Sequence, residues 1–239
     1  MKILAIGDFH GKFPTKLKKI AKSKDVDLIL CTGDFGGIPE WYGYLMKAFK
    51  LFHNGKPFLS AEEYFGKKKL KELLKKDAKV TRKVLFKLNK IKKKIIFVFG
   101  NADDEWYNYP FGKKIPKSKK SNRNFIKKLK NMKEITYSKI KFQDIGFIGC
   151  GGYMDVDEYL NERAKTKKDA KRINGVKNRR ERTERYLLNI LKKTKENRIF
   201  VFHYPPKGCL DIIKDRKNPR RETSAGISFF RDAINNYNP

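Results

Sequence analysis

Cysteine is scarce: Cys31, Cys150 and Cys209 are the three in 239 residues. They lie far apart and form no Cys-x-x-Cys pair, which argues against a structural zinc or dithiol redox motif and leads us to expect a reducing, cytoplasmic setting. Long apolar runs are missing too. No stretch approaches the roughly 20 residues a membrane helix needs, and the apolar part of Met1-Lys2-Ile3-Leu4-Ala5-Ile6-Gly7-Asp8 is too short for a signal peptide. We therefore expect a soluble chain with no membrane partner. No internal repeat and no Gly/Ser- or Pro-rich linker divides the sequence. With 39% hydrophobic residues it is enough for one sizeable core, so a single domain over residues 1–239 is expected.

Acidic residues are also in short supply. There are 26 Asp plus Glu against 58 Lys plus Arg, a formal net charge of +32. Lysine accumulates on solvated faces in some proteins, but acids of the opposite sign then rise with it, and here they do not. Such a field attracts polyanions, so nucleic acid, a phosphorylated ligand or an anionic surface is the expected partner class.

Against this lysine-rich background stand four short runs of Ile, Val, Leu and Phe: Ile3–Ile6, Leu28–Cys31, Ile95–Phe99 and Ile199–Phe202. Continuous apolarity over strand length suits strands buried on both faces, and the charged stretches between them read as helices, which gives an α/β layered fold. Ile145–Cys150, running into Gly151-Gly152, reads as a fifth core segment. Leucines, valine and isoleucine at spacings of three and four predict one or two basic amphipathic helices as an insertion over about 66–94. Lys113 to Lys130, broken by Pro116, reads as a loop leading into a short helix. Glu158 to Lys195 reads as a long helix with Tyr186, Leu187, Ile190 and Leu191 on its buried side and the arginines around Arg179 to Arg185 exposed.

What each run leads into carries the chemistry. The first enters Gly7-Asp8-Phe9-His10-Gly11, the second Thr32-Gly33-Asp34, the third Gly100-Asn101-Ala102-Asp103-Asp104, and the fourth ends at His203. In α/β sheets ligands bind at the carboxyl ends of strands, so Asp8, His10, Asp34, Asn101 and His203 are expected to converge. Helix capping accounts for any one Asp or Asn at such a place, but not for the ordered set. Carboxylate, imidazole and amide oxygen together suit manganese, iron or zinc better than calcium. His53 reads as an ordinary surface residue in a turn. Trp41, Tyr42 and Tyr44 read as core aromatics, with the border of a substrate cleft as the alternative.

In this order the motifs resemble those of the calcineurin-like metallophosphoesterases: Asp-x-His, Gly-Asp, Gly-Asn-His-Asp/Glu, a later His, and a final Gly-His-x-His. His203-Tyr204-Pro205-Pro206-Lys207-Gly208, followed by Asp211, also resembles the His-x-Pro-Pro segment of bacterial and archaeal members. The resemblance implies a sandwich of two mixed β-sheets with flanking helices. It implies two divalent ions, manganese foremost, with Asp8 and His10 on the first, Asp34 bridging, and Asn101 and His203 on the second. It makes His10, Asn101 and Asp103 catalytic-centre residues, and the reaction hydrolysis of a phosphoester by a metal-activated water.

Two positions depart from the family pattern. Ala102 stands where many members carry a histidine that protonates the leaving group, which turns the expectation towards a phosphodiester or nucleotide-type substrate. No Gly-His-x-His follows His203, and the helix expected over Gly226–Ile234 would precede that motif, with Asn235–Pro239 as the turn into a further strand. The expectation is thus a domain incomplete after Pro239. The alternative function is a catalytically impaired, basic nucleic-acid-binding protein on the same scaffold, gripping phosphates through its basic helices.

Overall fold

The computed structural model describes residues 1–54, 56, 59–109, 117–157, 167–195 and 197–239. The strands are β1 (Ile3–Ile6), β2 (Leu28–Cys31), β3 (Lys94–Phe97), β4 (Met132–Glu134), β5 (Lys139–Phe142), β6 (Ile145–Cys150) and β7 (Asn197–Phe202). The helices are α1 (Thr15–Ala21), α2 (Pro39–His53), α3 (Ala61–Phe65), α4 (Lys67–Asn89), α5 (Lys117–Lys127), α6 (Lys167–Lys192) and α7 (Ser228–Tyr237), with a 3₁₀ turn at Asn101–Asp103.

Two sheets form. The first has the order β1-β2-β3-β4 and is parallel throughout; the second has the order β5-β6-β7, with β5 antiparallel and β7 parallel to β6. The expected sandwich is therefore present, with the mixture of strand senses in the second sheet.

The double burial inferred from continuous apolar runs holds for β2 and most of β3, where it has a direct origin; β1 and most of β7, at the sheet edges, are only partly buried. Side chains alternate across a strand, and here each face has a layer to meet. Leu28, Leu30, Ile96 and Val98 point between the sheets, against Phe147 and Val201. Their neighbours Ile29, Cys31, Ile95 and Phe97 meet the helices, among them Val84, Leu85 and Leu88 of α4. On the far side Ile148 packs with Leu191 of α6 and Ala233 of α7.

Several boundaries differ from the sequence reading. The basic insertion is α3 followed by the one long helix α4, whose buried residues Leu73, Asp77, Thr81, Val84, Leu85 and Leu88 follow a single stripe. β3 ends at Phe97, because Val98 and Phe99 are bonded to Cys31 O and Thr136 Oγ1 as the chain turns towards the strand ends. Asn235–Tyr237, expected as a turn, complete α7. In α6 Tyr186 is 37% exposed, because Arg180, Thr183, Leu187 and Leu191 form the buried stripe and leave position 186 to one side. The expected loop residues 113–116 and the expected helical residues 158–166 lie outside the described residues. The backbone of His53 closes α2 and does not form a turn; its side chain lies outside the described part. Trp41 and Tyr44 pack with Tyr64 and Phe65 of α3, while Tyr42 is exposed. Among the described residues no helix is long and apolar enough to cross a membrane.

Candidate metal centre

The loops that follow β1 and β2 run side by side. Asp8 N donates to Gly33 O at 3.1 Å, His10 N to Asp34 O at 2.9 Å, and Gly11 N to Phe35 O at 3.1 Å. Asp8, His10 and Asp34 all have positive φ, at 50°, 41° and 53°. Non-glycine residues rarely hold this conformation, and it clusters at functional sites where the surrounding structure imposes it. These three side chains bring one ligand atom each within 4.8 Å of one another.

The remaining candidates reach the same place from other strands. His10 Nε2 is 3.8 Å from Asp34 Oδ2, and His203 Nε2 is 3.5 Å from Asp34 Oδ1. Asn101 Oδ1 is 2.6 Å from His203 Nε2. Asp34 thus lies between two imidazoles, one per carboxylate oxygen, and is itself buried while Asp8 and His10 are exposed. Ala102 serves through its backbone, donating its N–H to Asp34 Oδ1 at 2.9 Å.

His203 is oriented from the first sheet: its Nδ1 is 2.8 Å from Thr32 O. A carbonyl can only accept, so Nδ1 donates and Nε2 is the ring atom turned towards Asn101 and Asp34. Lone pairs on Asn101 Oδ1 and His203 Nε2 at that separation need a proton or a cation beside them. With two carboxylates and a second imidazole adjacent, the donor set fits a divalent transition ion.

Glycine permits the convergence at two points. A Cβ on Gly100 would stand 2.1 Å from Asp34 Oδ1 and 2.7 Å from His203 Cε1, and one on Gly33, whose φ is 109°, would stand 2.3 Å from Gly100 N. The two loops touch backbone to backbone.

Asp103 has its carboxylate turned into the protein. It is 1% exposed and accepts from Phe35 N, Gly36 N and Gly100 N at 3.2, 3.0 and 2.9 Å. Burial, with the charge of Asp34 as a second cause, pushes its pKa up to about 7. Its place is to lock the Asp34 loop to the Asn101 loop.

Two contributors escaped the sequence reading. Asp77, a buried carboxylate on α4, accepts from Gly37 N at 2.9 Å. Gly37 rests against His10, since a Cβ there would be 2.9 Å from His10 Cα. Asp77 was legible only as an acid standing in the apolar stripe of a lysine helix. Thr32 acts through its carbonyl, which no side-chain motif reveals.

Gly7, Asp8, Phe9, His10, Lys12, Pro14 and Leu17 line a cleft beside the centre. No curated protein matches the chain. One solved crystal structure is similar with a TM-score of 0.60 and 16% identity, over 99% of this chain and 80% of its own. The crystal structure of TT1561 of Thermus thermophilus is similar with a TM-score of 0.51 and 15% identity, over 99% of this chain and 77% of its own. Both likenesses concern the fold. The ordered strand-end ligands have a counterpart at the level of sequence: the model of the calcineurin-like phosphoesterases matches residues 1–226, and the chain belongs to that family.

Proposed function

We propose that the chain is a divalent-metal-dependent phosphoesterase that hydrolyses a phosphodiester or nucleotide-type substrate, with manganese as the preferred ion. The observation that carries this reading is the Asp34 carboxylate, flanked by His10 on one oxygen and His203 on the other. In this assignment Asp8 and His10 hold one ion, Asn101 and His203 the other, and Asp34 both. Two such ions supply a nucleophilic water at neutral pH and neutralise phosphate oxygens during in-line attack. Thr32 O keeps His203 in the tautomer that can ligate. Lys12, in the cleft beside Asp8 and His10, offers a positive charge to a phosphate. At position 102 the chain brings an N–H to Asp34 and no imidazole to the leaving group. General acid help is worth about 10²–10⁴ in rate, so substrates whose leaving group departs unprotonated are favoured. The two buried thiols, Cys31 and Cys150, accord with a cytoplasmic home.

The test is to load the purified chain with Mn²⁺, gel-filter it, measure bound metal, and assay a bis-aryl phosphodiester, an aryl monoester and a phosphopeptide. Metal-dependent turnover fastest on the diester is the expected result. A preference for the phosphopeptide would replace the substrate class. Metal bound without turnover of any of the three would overturn the enzymatic reading in favour of a binding protein on the same scaffold.

A further inference from the structure

Lys67, Lys71, Lys75, Lys79, Lys83 and Lys87 recur at every fourth residue through the whole of α4, and all six are exposed. At 1.5 Å and 100° per residue, successive members lie about 6 Å apart along the axis and about 40° apart around it. They form one stripe about 30 Å long that winds about 200° around the helix from Lys67 to Lys87, broadened by the exposed Lys68, Lys69 and Lys76. Like charges four apart on a helix repel. Among the described residues none of the six has an acidic partner; the one exposed acid of α4, Glu72, lies 3.8 Å from Lys69, and Lys76 pairs with Glu40.

The other basic helix is different. Arg180 of α6 is buried and bound to the Asp155 carbonyl, Asp157 and Glu184; Arg179 is bound to Asp155, and Arg185 lies 3.5 Å from Glu181. Arg180 and Arg179 tie the helix to the fold, and the expectation of an exposed arginine face over Arg179–Arg185 fails at Arg180 but holds at Arg182 and Arg185. Exposed lysines without an acidic partner among the described residues stand on α6 as well, Lys177 and Lys192 among them, but in α4 they form a regular row.

The inward side of α4 backs the metal centre: Asp77 holds Gly37 N, and the Val80 side chain lies against Gly11, the residue after His10. The lysine row lies on the outer side of the same helix, Lys75 and Lys79 being about 200° around the axis from Asp77. The apolar side of α4 is committed to the core through Leu73, Val84, Leu85 and Leu88, so it has no apolar face to insert into a lipid surface. Phe86 is its exposed large aromatic, with Lys90 Nζ 4.5 Å from the ring centroid. One such ring makes no stacking platform for unpaired bases. A regular row of point charges without base-reading groups matches the regular charges of a phosphate backbone.

We propose that the outer face of α4 binds the phosphate backbone of duplex nucleic acid, independently of sequence. The binding stands apart from the hydrolytic reading.

The test is equilibrium binding of a fluorescently labelled 20-base-pair DNA duplex of arbitrary sequence, with EDTA present so that no turnover enters. Affinity should fall roughly 10³-fold between 50 and 200 mM salt, as expected for about six phosphate contacts. The combined variant Lys71→Gln, Lys75→Gln, Lys79→Gln should lower affinity at least about 10-fold and reduce the salt slope by about three. The same charge removed from α6, as Lys171→Gln, Lys177→Gln, Lys192→Gln, should leave the slope within about one of the parent. Equal losses from both helices would mean attraction to net charge alone and would overturn the proposal, as would tighter capture by phosphatidylserine vesicles than by DNA. Circular dichroism checks the fold of the α4 variant; should helix be lost, Lys71→Arg, Lys75→Arg, Lys79→Arg keeps the charge and must retain binding.

Discussion

Nε2 of His203 lies 3.5 Å from Oδ1 of Asp34, although His203 follows β7 of the second sheet and Asp34 follows β2 of the first. The pair exists only when the two sheets are packed. Thr32 O and His203 Nδ1 join the same two strand ends, so the centre depends on the layer formed by Leu30, Val98, Phe147 and Val201. Ligand binding confined to the native state raises stability by mass action. Metal affinity and sandwich stability are therefore coupled here.

From that coupling, Mn²⁺ at about 100 times its dissociation constant should stabilise the fold by about 2.7 kcal/mol, and EDTA should reverse the gain. For a chain of this size that is a rise in Tm of roughly 5–11 °C. Asp34→Asn removes a charge both ions would share and should erase most of this rise, together with metal-dependent hydrolysis. A melting curve with and without Mn²⁺ checks it; an undiminished shift or retained turnover in the variant would reject the bridging assignment.

Gly100→Ala tests whether the backbone approach matters as much as the ligands. The new Cβ would meet Asp34 Oδ1 at 2.1 Å, Asp34 N at 2.5 Å and His203 Cε1 at 2.7 Å, so the Asp34 loop or the His203 side chain must move. Overpacking of this kind costs typically 1–3 kcal/mol. We expect a stability loss in that range in urea, and Mn²⁺ affinity lowered about 10–100-fold, as for disturbed support of a metal ligand. Isothermal titration of Mn²⁺ gives the second number; parent-like affinity would show that the loops have slack.

The strand ends were the legible part of this protein. Apolar runs placed β1, β2 and β6 at their observed limits; β2 and most of β6 are buried on both faces and leave no polar alternation to misread, whereas β1 is a partly buried edge strand that was legible from its run alone. β4, as Met-Lys-Glu, and β5, as Lys-Ile-Lys-Phe, escaped notice because each has one side open to water or is too short to carry a pattern. Asp8, His10 and Asp34 were legible as ligand types, but the left-handed backbone that aims them was not. Asp103 illustrates the limit of a motif: its spacing from Asn101 signalled the centre, while two of its three backbone donors, Phe35 N and Gly36 N, come from a loop 68 and 67 residues away in sequence. The orientation of His203 depends on a carbonyl 171 residues distant, information that only the packed sheets contain.

Asp77→Ala and Asp77→Asn should separate. Alanine leaves Gly37 N without its acceptor in a buried setting, which costs about 1–3 kcal/mol, and frees the loop that backs His10. Asparagine keeps an oxygen at that position and removes a charge that burial disfavours, since desolvation holds the Asp77 pKa above the ordinary carboxylate value. Denaturant melts should therefore place Asp77→Ala clearly below the parent and Asp77→Asn close to it. Mn²⁺ affinity should follow the same order; if both variants behave alike, the hydrogen bond to Gly37 is not what Asp77 contributes.

Arg180 offers the sharpest contrast with the lysine surface around it. Its guanidinium is buried and divided among three acceptors: the Asp155 carbonyl, Asp157 Oδ1 at 3.0 Å and Glu184 Oε1 at 2.5 Å. Asp157 in turn accepts from Ser228 N at the start of α7 and lies 3.6 Å from Lys207 in the loop after His203. One side chain thus ties α6 to the segment leaving β6, and through Asp157 to α7 and the His203 loop. Removing one partner of a buried ion pair typically costs 3–5 kcal/mol because the other charge is left unpaired. Arg180→Ala should lower Tm by roughly 6–20 °C, whereas Arg185→Ala, which breaks a solvent-exposed pair at 3.5 Å, should change stability by less than about 1 kcal/mol. Lysine at position 180 keeps the charge but has no planar fork to divide among three acceptors, so Arg180→Lys should fall between the two. An Arg180→Ala protein that melts with the parent would mean that the acceptors find water, and that α6 is held by Leu187 and Leu191 alone.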